Sequence, residues 1–259
     1  MVFNFKDVKC KECDENGFIV NPFSFEVEKC KCRIKYENDL RTFDVLKNSG
    51  LLLPTSTLID FNEINSYSFD KYVGDDKNKN IDKLKMYVDK FEDENKPFSK
   101  MSFYIYGAQG CQKSYTVKGV LSLLAKKGHS VYYILAKDLV DLIIKSDRDD
   151  DVKNKLDYIL TVDCLCIEEL NAKRMALWNS GFKQEVLVSW LKTRLEVVKK
   201  STFIITNDTI EEFKQSELGE LLGDLVEREC RFGTFEFTDN YGANLSKEDF
   251  KKQFDSIWS

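Results

Sequence analysis

The fold of this chain is decided by the stretch Phe103-Tyr-Ile-Tyr-Gly-Ala-Gln-Gly-Cys-Gln-Lys-Ser-Tyr115. Residues 101–106 are apolar and aromatic, as in a buried strand, and a glycine-containing turn follows them. The apolar residues beyond the turn recur at helical spacing, at Val117, Val120, Leu121 and Leu124. The stretch therefore predicts a strand, a phosphate-binding loop and a helix. The alternative is an ordinary strand-turn-helix in which Lys-Ser occurs by chance.

The turn fits the phosphate-loop template G-x-x-x-x-G-K-[ST] at Gly107, Lys113 and Ser114. In this template backbone N–H groups surround phosphates, the lysine contacts the β- and γ-phosphates, and the hydroxyl binds Mg²⁺. Gln112 replaces the second glycine, where a side chain crowds the approach of backbone to phosphate. We expect nucleotide contacts from Gly107, Gly110, Cys111, Gln112, Lys113, Ser114 and Tyr115.

A second apolar strand, at 162–167, ends in two carboxylates, Glu168 and Glu169. One acid can enter the Mg²⁺ shell and the other can orient an attacking water, which complements a phosphate loop. Aspartate is usual at the first position, and Glu168 is longer by one methylene. The alternative is a solvated strand end. Cys164 and Cys166 alternate with apolar residues in this strand and are predicted to be core residues.

Composition limits the classes of protein to which the chain can belong. Its 259 residues, 42% of them hydrophobic, suffice for one domain and a small module. A net charge of −5 argues against a constitutively basic coat for nucleic acid. The first residues lack the apolar run of a signal peptide, and no apolar stretch reaches the length of a membrane helix. We expect a cytosolic protein.

Four of the eight cysteines form two close pairs, Cys10-x-x-Cys13 and Cys30-x-Cys32. Disulfides are rare in a reducing compartment, and two separated thiolate pairs can supply the tetrahedral ligands of Zn²⁺. Four thiolates leave no open coordination position, so the predicted zinc is structural. The alternative is four unrelated free thiols.

Hydrophobic periodicity predicts further helices at 34–46, 81–91, 138–145, 178–200, 218–230 and 246–258, and strands at 131–135, 201–207 and 234–238. Asn207 ends one of these strands, at the edge of the sheet where parallel α/β folds place ligands. We divide the chain into three parts. Residues 1–45 form a zinc module, residues 46–100 form a linker and wrapping segment, and residues 101–259 form an α/β domain.

Taken together, these motifs resemble those of bacterial and phage replicative-helicase loaders of the DnaC and DnaI type, which are AAA+ ATPases. The resemblance extends from Cys10 to about Phe237. Its carriers are the four-cysteine head, Ser49-Gly-Leu-Leu-Leu-Pro54, Gly107-Ala-Gln-Gly-Cys-Gln-Lys-Ser114, Val162-Asp-Cys-Leu-Cys-Ile-Glu-Glu169, Phe203-Ile-Ile-Thr-Asn207 and Leu225-Val-Glu-Arg228.

The resemblance implies an AAA+ P-loop domain, with a central parallel sheet flanked by helices, behind a zinc-binding module and a helical linker. It implies that Lys113 and Ser114 are the Walker A pair and that Glu168 and Glu169 are the Walker B acids. Asn207 would position water, and Arg228 would reach a neighbour's nucleotide, with Arg231 as a competitor. The family's lid-side Tyr-Arg has no counterpart in Tyr241-Gly-Ala-Asn244, which together with Gln112 predicts slow hydrolysis.

The implied function is ATP-dependent loading of the hexameric replicative helicase onto single-stranded DNA. The zinc module would dock on the helicase, ATP with Mg²⁺ would favour a homo-oligomer, and DNA contact would be weak and nucleotide-dependent. An AAA+ transposition regulator and a hydrolysis-impaired helicase adaptor or inhibitor are the alternatives. The cysteine head and the acidic balance argue against the regulator, because DNA coating relies on phosphate neutralisation.

Overall fold

A computed structural model describes residues 10–14, 16–52, 69, 79–93, 98–170 and 181–238. The terminal helix predicted at 246–258, the residues Tyr241 to Asn244 and most of the predicted linker lie outside these ranges. Within the described part of the chain, no helix combines the length and apolar character that crossing a bilayer requires.

The N-terminal module is a small hairpin followed by a long helix. Strands β1 (Phe18–Val20) and β2 (Val27–Lys29) pair antiparallel, and helix α1 (Lys31–Asn48) follows directly. Helix α1 has 18 residues, and Leu46 in its last turn is fully buried among residues of the central domain. The module is therefore joined to the domain by a continuous helix.

The central element is a sheet of five parallel strands in the order β4-β5-β6-β3-β7. The strands are β3 (Phe103–Gly107), β4 (Val131–Leu135), β5 (Cys164–Glu168), β6 (Ser201–Ile205) and β7 (Thr234–Phe237). The phosphate-loop strand β3 lies between β6 and β7, and the acid-bearing strand β5 lies beside β6. The structure confirms the predicted α/β class with a central parallel sheet.

Helices cover both faces of the sheet. They are α2 (Asn80–Asp89), α3 (Lys113–Lys126), α4 (Ala136–Ser146), α5 (Asp150–Thr161), α6 (Gly181–Lys192), α7 (Ile210–Lys214) and α8 (Glu217–Cys230). Residues of α1, α2 and α3 pack on one face together with Phe103, Cys164 and Cys166. Residues of α4 to α8 pack on the other face together with Tyr104 and Leu165. The two strand cysteines are fully buried, as predicted.

The helix predicted over 178–200 has a different form where the structure describes it. Helix α6 (Gly181–Lys192) is followed directly by a π-helical turn, Thr193–Val198. This turn directs Arg194 inward, where its guanidinium donates to the carbonyls of Leu160 (2.6 Å) and Ser201 (2.8 Å). Arg194 is fully buried, and burial lowers its pKa to about 10. The guanidinium joins the ends of α5 and α6 to the start of β6.

The segment after α1 covers the free edge of the sheet. The carbonyl of Ser49 accepts a hydrogen bond of 2.6 Å from the backbone N–H of Tyr133 in the edge strand β4. Gly50 follows with φ +71°, and a Cβ there would lie 2.2 Å from the Tyr133 carbonyl oxygen. Only glycine therefore allows this approach, and the Ser49-Gly50 pair blocks an edge that could otherwise pair with another chain.

Candidate functional site

The phosphate loop lies between the end of β3 at Gly107 and the start of α3 at Lys113. Gly107 has φ +138°, and a Cβ at this position would lie 2.0 Å from the carbonyl oxygen of Phe237. Gly110 also has a positive φ, of 87°. The loop thus takes a path that requires glycine at its first residue, because β7 passes directly beside it.

Gln112 occupies the position where the template has its second glycine. Its φ of 63° is left-handed, a conformation that costs about 1–2 kcal/mol for a residue with a Cβ. The loop therefore keeps the backbone conformation that glycine normally provides, although the residue is not glycine. Strain of this kind, when it is observed, is often found at functional sites.

The Lys113 side chain lies inside the loop and is only 7% exposed. Its ammonium donates to the carbonyls of Gly107 (2.7 Å) and Ala108 (2.8 Å) and to Oδ1 of Asn207 (3.0 Å). Burial lowers the pKa of this ammonium, while the nearby Cys111 thiol and Glu168 carboxylate oppose the shift. Asn207, which follows β6, is thus brought to Lys113 by the parallel order of the strands.

Strand β5 brings its two acids to the same place. The Ser114 hydroxyl donates a hydrogen bond to Oε1 of Glu168, so the hydroxyl and the carboxylate expected to share Mg²⁺ are already adjacent. Glu169 follows with φ +59°, a left-handed conformation, and the next residue, Leu170, donates its N–H to the carbonyl of Ile205. Both acids line the same cavity.

These residues surround a cavity of about 380 Å³. It is lined by Gln109, Gly110, Cys111, Gln112, Lys113, Ser114, Tyr115, Glu168, Glu169, Ile205, Thr206 and Asn207. All predicted loop residues except Gly107 line the cavity, and the Gly107 carbonyl contacts Lys113. Their roles in nucleotide binding remain predictions. Gln109, Ile205 and Thr206 also line the cavity without having been predicted as site residues, although Thr206 precedes Asn207 at the same strand end.

Mg²⁺ and phosphates fit the chemistry of this cavity. Ser114 and Glu168 offer hard oxygen ligands of the type that Mg²⁺ prefers. Lys113 is the single cation among the described lining residues, whereas Glu168 and Glu169 supply two carboxylates. A bound triphosphate would therefore meet a site with little positive charge of its own.

Arg228 does not line this cavity. It lies in the last turn of α8 with its side chain 54% exposed and forms ion pairs with Glu196 (2.6 Å) and Glu229 (3.0 Å). Hydrogen bonds to Glu229 and Glu196 raise its pKa. Arg231 instead stacks over the ring of Phe232, 4.6 Å from the ring centroid. Neither Arg228 nor Arg231 lines the cavity of its own chain.

The four cysteines of the N-terminal module form one cluster. Their sulfur atoms all lie within 4.8 Å of one another, with 3.8 Å between Cys10 and Cys30 and 3.3 Å between Cys13 and Cys32. Tetrahedral zinc with Zn–S bonds of about 2.3 Å requires sulfur separations of about 3.8 Å. A backbone hydrogen bond at Glu12 lowers the pKa of Cys10 to about 7, whereas burial raises the pKa of Cys13 and of Cys32. The number and spacing of the four sulfurs fit structural zinc.

Comparisons with known proteins agree with the fold described above and with the resemblance to helicase loaders. No family model matches the chain. It is 23% identical to the replicative helicase loader DnaI of Bacillus subtilis, over 76% of this chain and 59% of the relative, so it spans less than two thirds of that protein. The fold is similar to crystal structures of the DnaC helicase loader (22% identity, TM-score 0.53) and of DnaI (21%, 0.52). These likenesses cover 68% and 69% of this chain and 98% and 93% of the respective solved chains.

A third similar structure is AMPPCP-bound DnaA from Aquifex aeolicus, with 16% identity and a TM-score of 0.52 over 66% of this chain and 50% of that one. At these identities the solved structures establish the fold alone. The predicted AAA+ fold and the predicted resemblance to loaders of the DnaC and DnaI type are both confirmed.

Proposed function

We propose that this chain, similar in sequence and fold to DnaC- and DnaI-type proteins, is an ATP-dependent loader of the hexameric replicative helicase. The observation that supports this most directly is the convergence of Lys113, Ser114, Glu168 and Asn207 on one cavity at the carboxyl ends of β3, β5 and β6. Parallel α/β sheets bind ligands at this edge.

In the proposed mechanism the loop backbone and Lys113 hold the phosphates of ATP, and Ser114 and Glu168 hold Mg²⁺. Mg²⁺, when bound, supplies positive charge that offsets the phosphates. Glu169 accepts a proton from the attacking water, and Asn207 helps to orient that water. Because the described lining has a single cation, a neighbouring copy supplies Arg228, and hydrolysis depends on assembly.

The cysteine module carries the second part of the proposal. It binds one structural zinc and docks on the helicase, while the AAA+ domain assembles and contacts single-stranded DNA weakly. ATP favours the assembled state, and hydrolysis or release frees the helicase. A switch of this kind needs only a difference in affinity between two states, so slow turnover is sufficient. We place the protein in the cytosol, with the replication machinery.

The test is to mix the chain with the replicative helicase of its host, with and without ATP, and to follow complex formation by light scattering. We expect a complex that Lys113→Ala weakens, because the lysine-phosphate contact is charge-assisted. The matched control is Lys137→Ala, an exposed lysine of α4 outside the cavity. Absence of a complex under every nucleotide condition would overturn the loader proposal.

A second candidate is an adaptor that binds ATP and helicase without useful hydrolysis. The strained Gln112 in the phosphate loop and the longer acid Glu168 favour it. Nucleotide titration and a phosphate-release assay distinguish the loader from the adaptor. An adaptor should bind ATP but release phosphate no faster than the Lys113→Ala variant does.

A further inference from the structure

All three N–H groups of the Lys113 ammonium have acceptors within the protein. A lysine ammonium has three donors and no acceptor, and here four acceptors surround it: the carbonyls of Gly107 and Ala108, the side chain of Asn207 and, at 3.6 Å, the sulfur of Cys111. Phosphate oxygens that bind Lys113 must therefore replace at least one of these acceptors. The free energy needed to break the replaced hydrogen bond reduces the affinity for nucleotide, so the affinity depends on which acceptor is replaced.

Asn207 differs from the two carbonyls, and from the buried Cys111 sulfur, in being an exposed side chain that can turn away. The carbonyls belong to the loop backbone, whose path is fixed by the contact of Gly107 with Phe237. The Asn207 residue is exposed, and its amide can rotate about its own side-chain bonds. Because the ammonium only donates, the amide oxygen and not the NH₂ group faces it.

The backbone on both sides of Asn207 is held in place by buried groups. Thr206 donates its N–H to the carbonyl of Ile105 at 3.0 Å, and the Tyr104 hydroxyl donates to the carbonyl of Asp208 at 2.9 Å. Tyr104 is itself fully buried. The backbone of Asn207 is thus held in a fixed position while its side chain is free to rotate, so forming the contact with Lys113 orders little additional chain.

We propose that Asn207 is a positioning residue for Lys113, and that its amide oxygen competes with nucleotide phosphates for the ammonium. The proposal rests on the proposed function of the cavity and adds regulation of its affinity. Asn207 lowers the affinity for nucleoside diphosphates and triphosphates alike, because both present a β-phosphate to Lys113. When a phosphate takes over the ammonium, the amide is released and can act on the water or the γ-phosphate.

The test is to titrate ADP against Asn207→Ala, Asn207→Asp and the unmodified protein by calorimetry. ADP has no γ-phosphate, so a role of Asn207 in orienting water cannot change the result. We expect Asn207→Ala to bind ADP about three- to five-fold more tightly, the effect of one net hydrogen bond. Asn207→Asp should bind more weakly, because it fixes a negative charge beside the phosphates.

In steady-state assays Asn207→Ala should lower KM and kcat together, a combination that general damage to the fold does not produce. The matched control is Asn154→Ala, an exposed asparagine of α5, which should leave ADP affinity unchanged. ADP affinity in Asn207→Ala equal to or weaker than that of the unmodified protein would overturn the inference alone. Failure of every form to bind ADP or ATP would overturn the proposed function as well.

Discussion

Glu196 accepts a hydrogen bond of 2.6 Å from Nη2 of Arg228, although the two residues belong to different helical segments. The π-helical turn at Thr193–Val198 places Glu196 there, while it buries Arg194 two residues earlier. An exposed ion pair of this kind is weak, whereas an arginine acting on a transferred phosphoryl group accelerates the reaction about 1,000-fold or more. In the proposed assembly, a neighbour's phosphates would therefore displace Glu196 from Arg228.

Arg228→Ala should lower ATP hydrolysis by the assembled protein about 1,000-fold or more, because it removes the positive charge that a neighbour contributes to the transition state. Binding of ADP should change little, since Arg228 does not line the cavity of its own chain. Phosphate release and ADP titration measure the two effects. Arg231→Ala is the control, and a larger loss in that variant would assign the role to Arg231 instead.

Mixing two inactive variants tests whether Arg228 acts between chains. Lys113→Ala retains Arg228 but lacks a working cavity, and Arg228→Ala retains the cavity. We expect the equimolar mixture to recover part of the hydrolysis activity. In a mixed assembly, the cavity of an Arg228→Ala chain can lie beside the Arg228 of a Lys113→Ala chain. A mixture no more active than its components would contradict action between chains.

Gln112→Gly should raise nucleotide affinity several-fold, because it removes the Cβ from the approach of the loop backbone to phosphates. The free energy of unfolding should rise by no more than about 1.5 kcal/mol, since relief of about 1–2 kcal/mol of left-handed strain is opposed by about 0.5–1 kcal/mol of glycine entropy. ADP titration and urea unfolding measure the two quantities. Gln112→Ala keeps the Cβ, so an equal gain in that variant would attribute the effect to the rest of the side chain.

Gly50→Ala should lower the free energy of unfolding by about 3 kcal/mol or more, because a Cβ at φ +71° also collides with the Tyr133 carbonyl. Gly128→Ala is the matched control, since its φ is +95° but no atom lies within 4 Å of its Cβ position. That variant should lose only the cost of backbone strain, about 1–2 kcal/mol. Equal losses in urea unfolding would contradict docking of Gly50 on β4.

The purified protein should contain one zinc per chain by atomic absorption, and Cys13→Ser should lose it because three thiolates bind the metal far more weakly. Cys111→Ser, whose thiol lies in the phosphate loop, should keep the metal. A chelator should reduce the helix content measured by circular dichroism, since Cys30 is the N-cap residue of α1 and Cys32 lies in its first turn. Full zinc content in Cys13→Ser would exclude the four-cysteine site.

Much of the fold could be predicted from the sequence because its strands are short apolar runs. The strand predicted at 131–135 is observed with the same bounds, and Lys126 and Gly128 end α3 as helix-stop signals indicate. Helix α5 was not predicted, since the aspartates before it resemble a solvated turn. Asp149 in fact caps the helix by accepting hydrogen bonds from Asp151 and Val152.

The phosphate loop and the two acids were predicted because the chemistry requires particular residues at fixed spacing. The contact between Lys113 and Asn207 was not, because it depends on β6 lying beside β3, an order that no local pattern encodes. The buried Arg194 is a similar case. Its acceptors are the backbone carbonyls of Leu160 and Ser201 and the hydroxyl of Thr202. Every residue has a backbone carbonyl, so the sequence does not indicate which carbonyls will bind a buried arginine.

Helix α1 extends from the cysteine cluster to the edge of the sheet and packs along α3, whose first residue is Lys113. At 1.5 Å per residue it is a rod of about 27 Å with one end at the sulfur ligands and the other in the core. In the proposed loader, a displacement of the cysteine cluster would therefore be carried along one continuous helix to the packing surface of the helix that begins at Lys113.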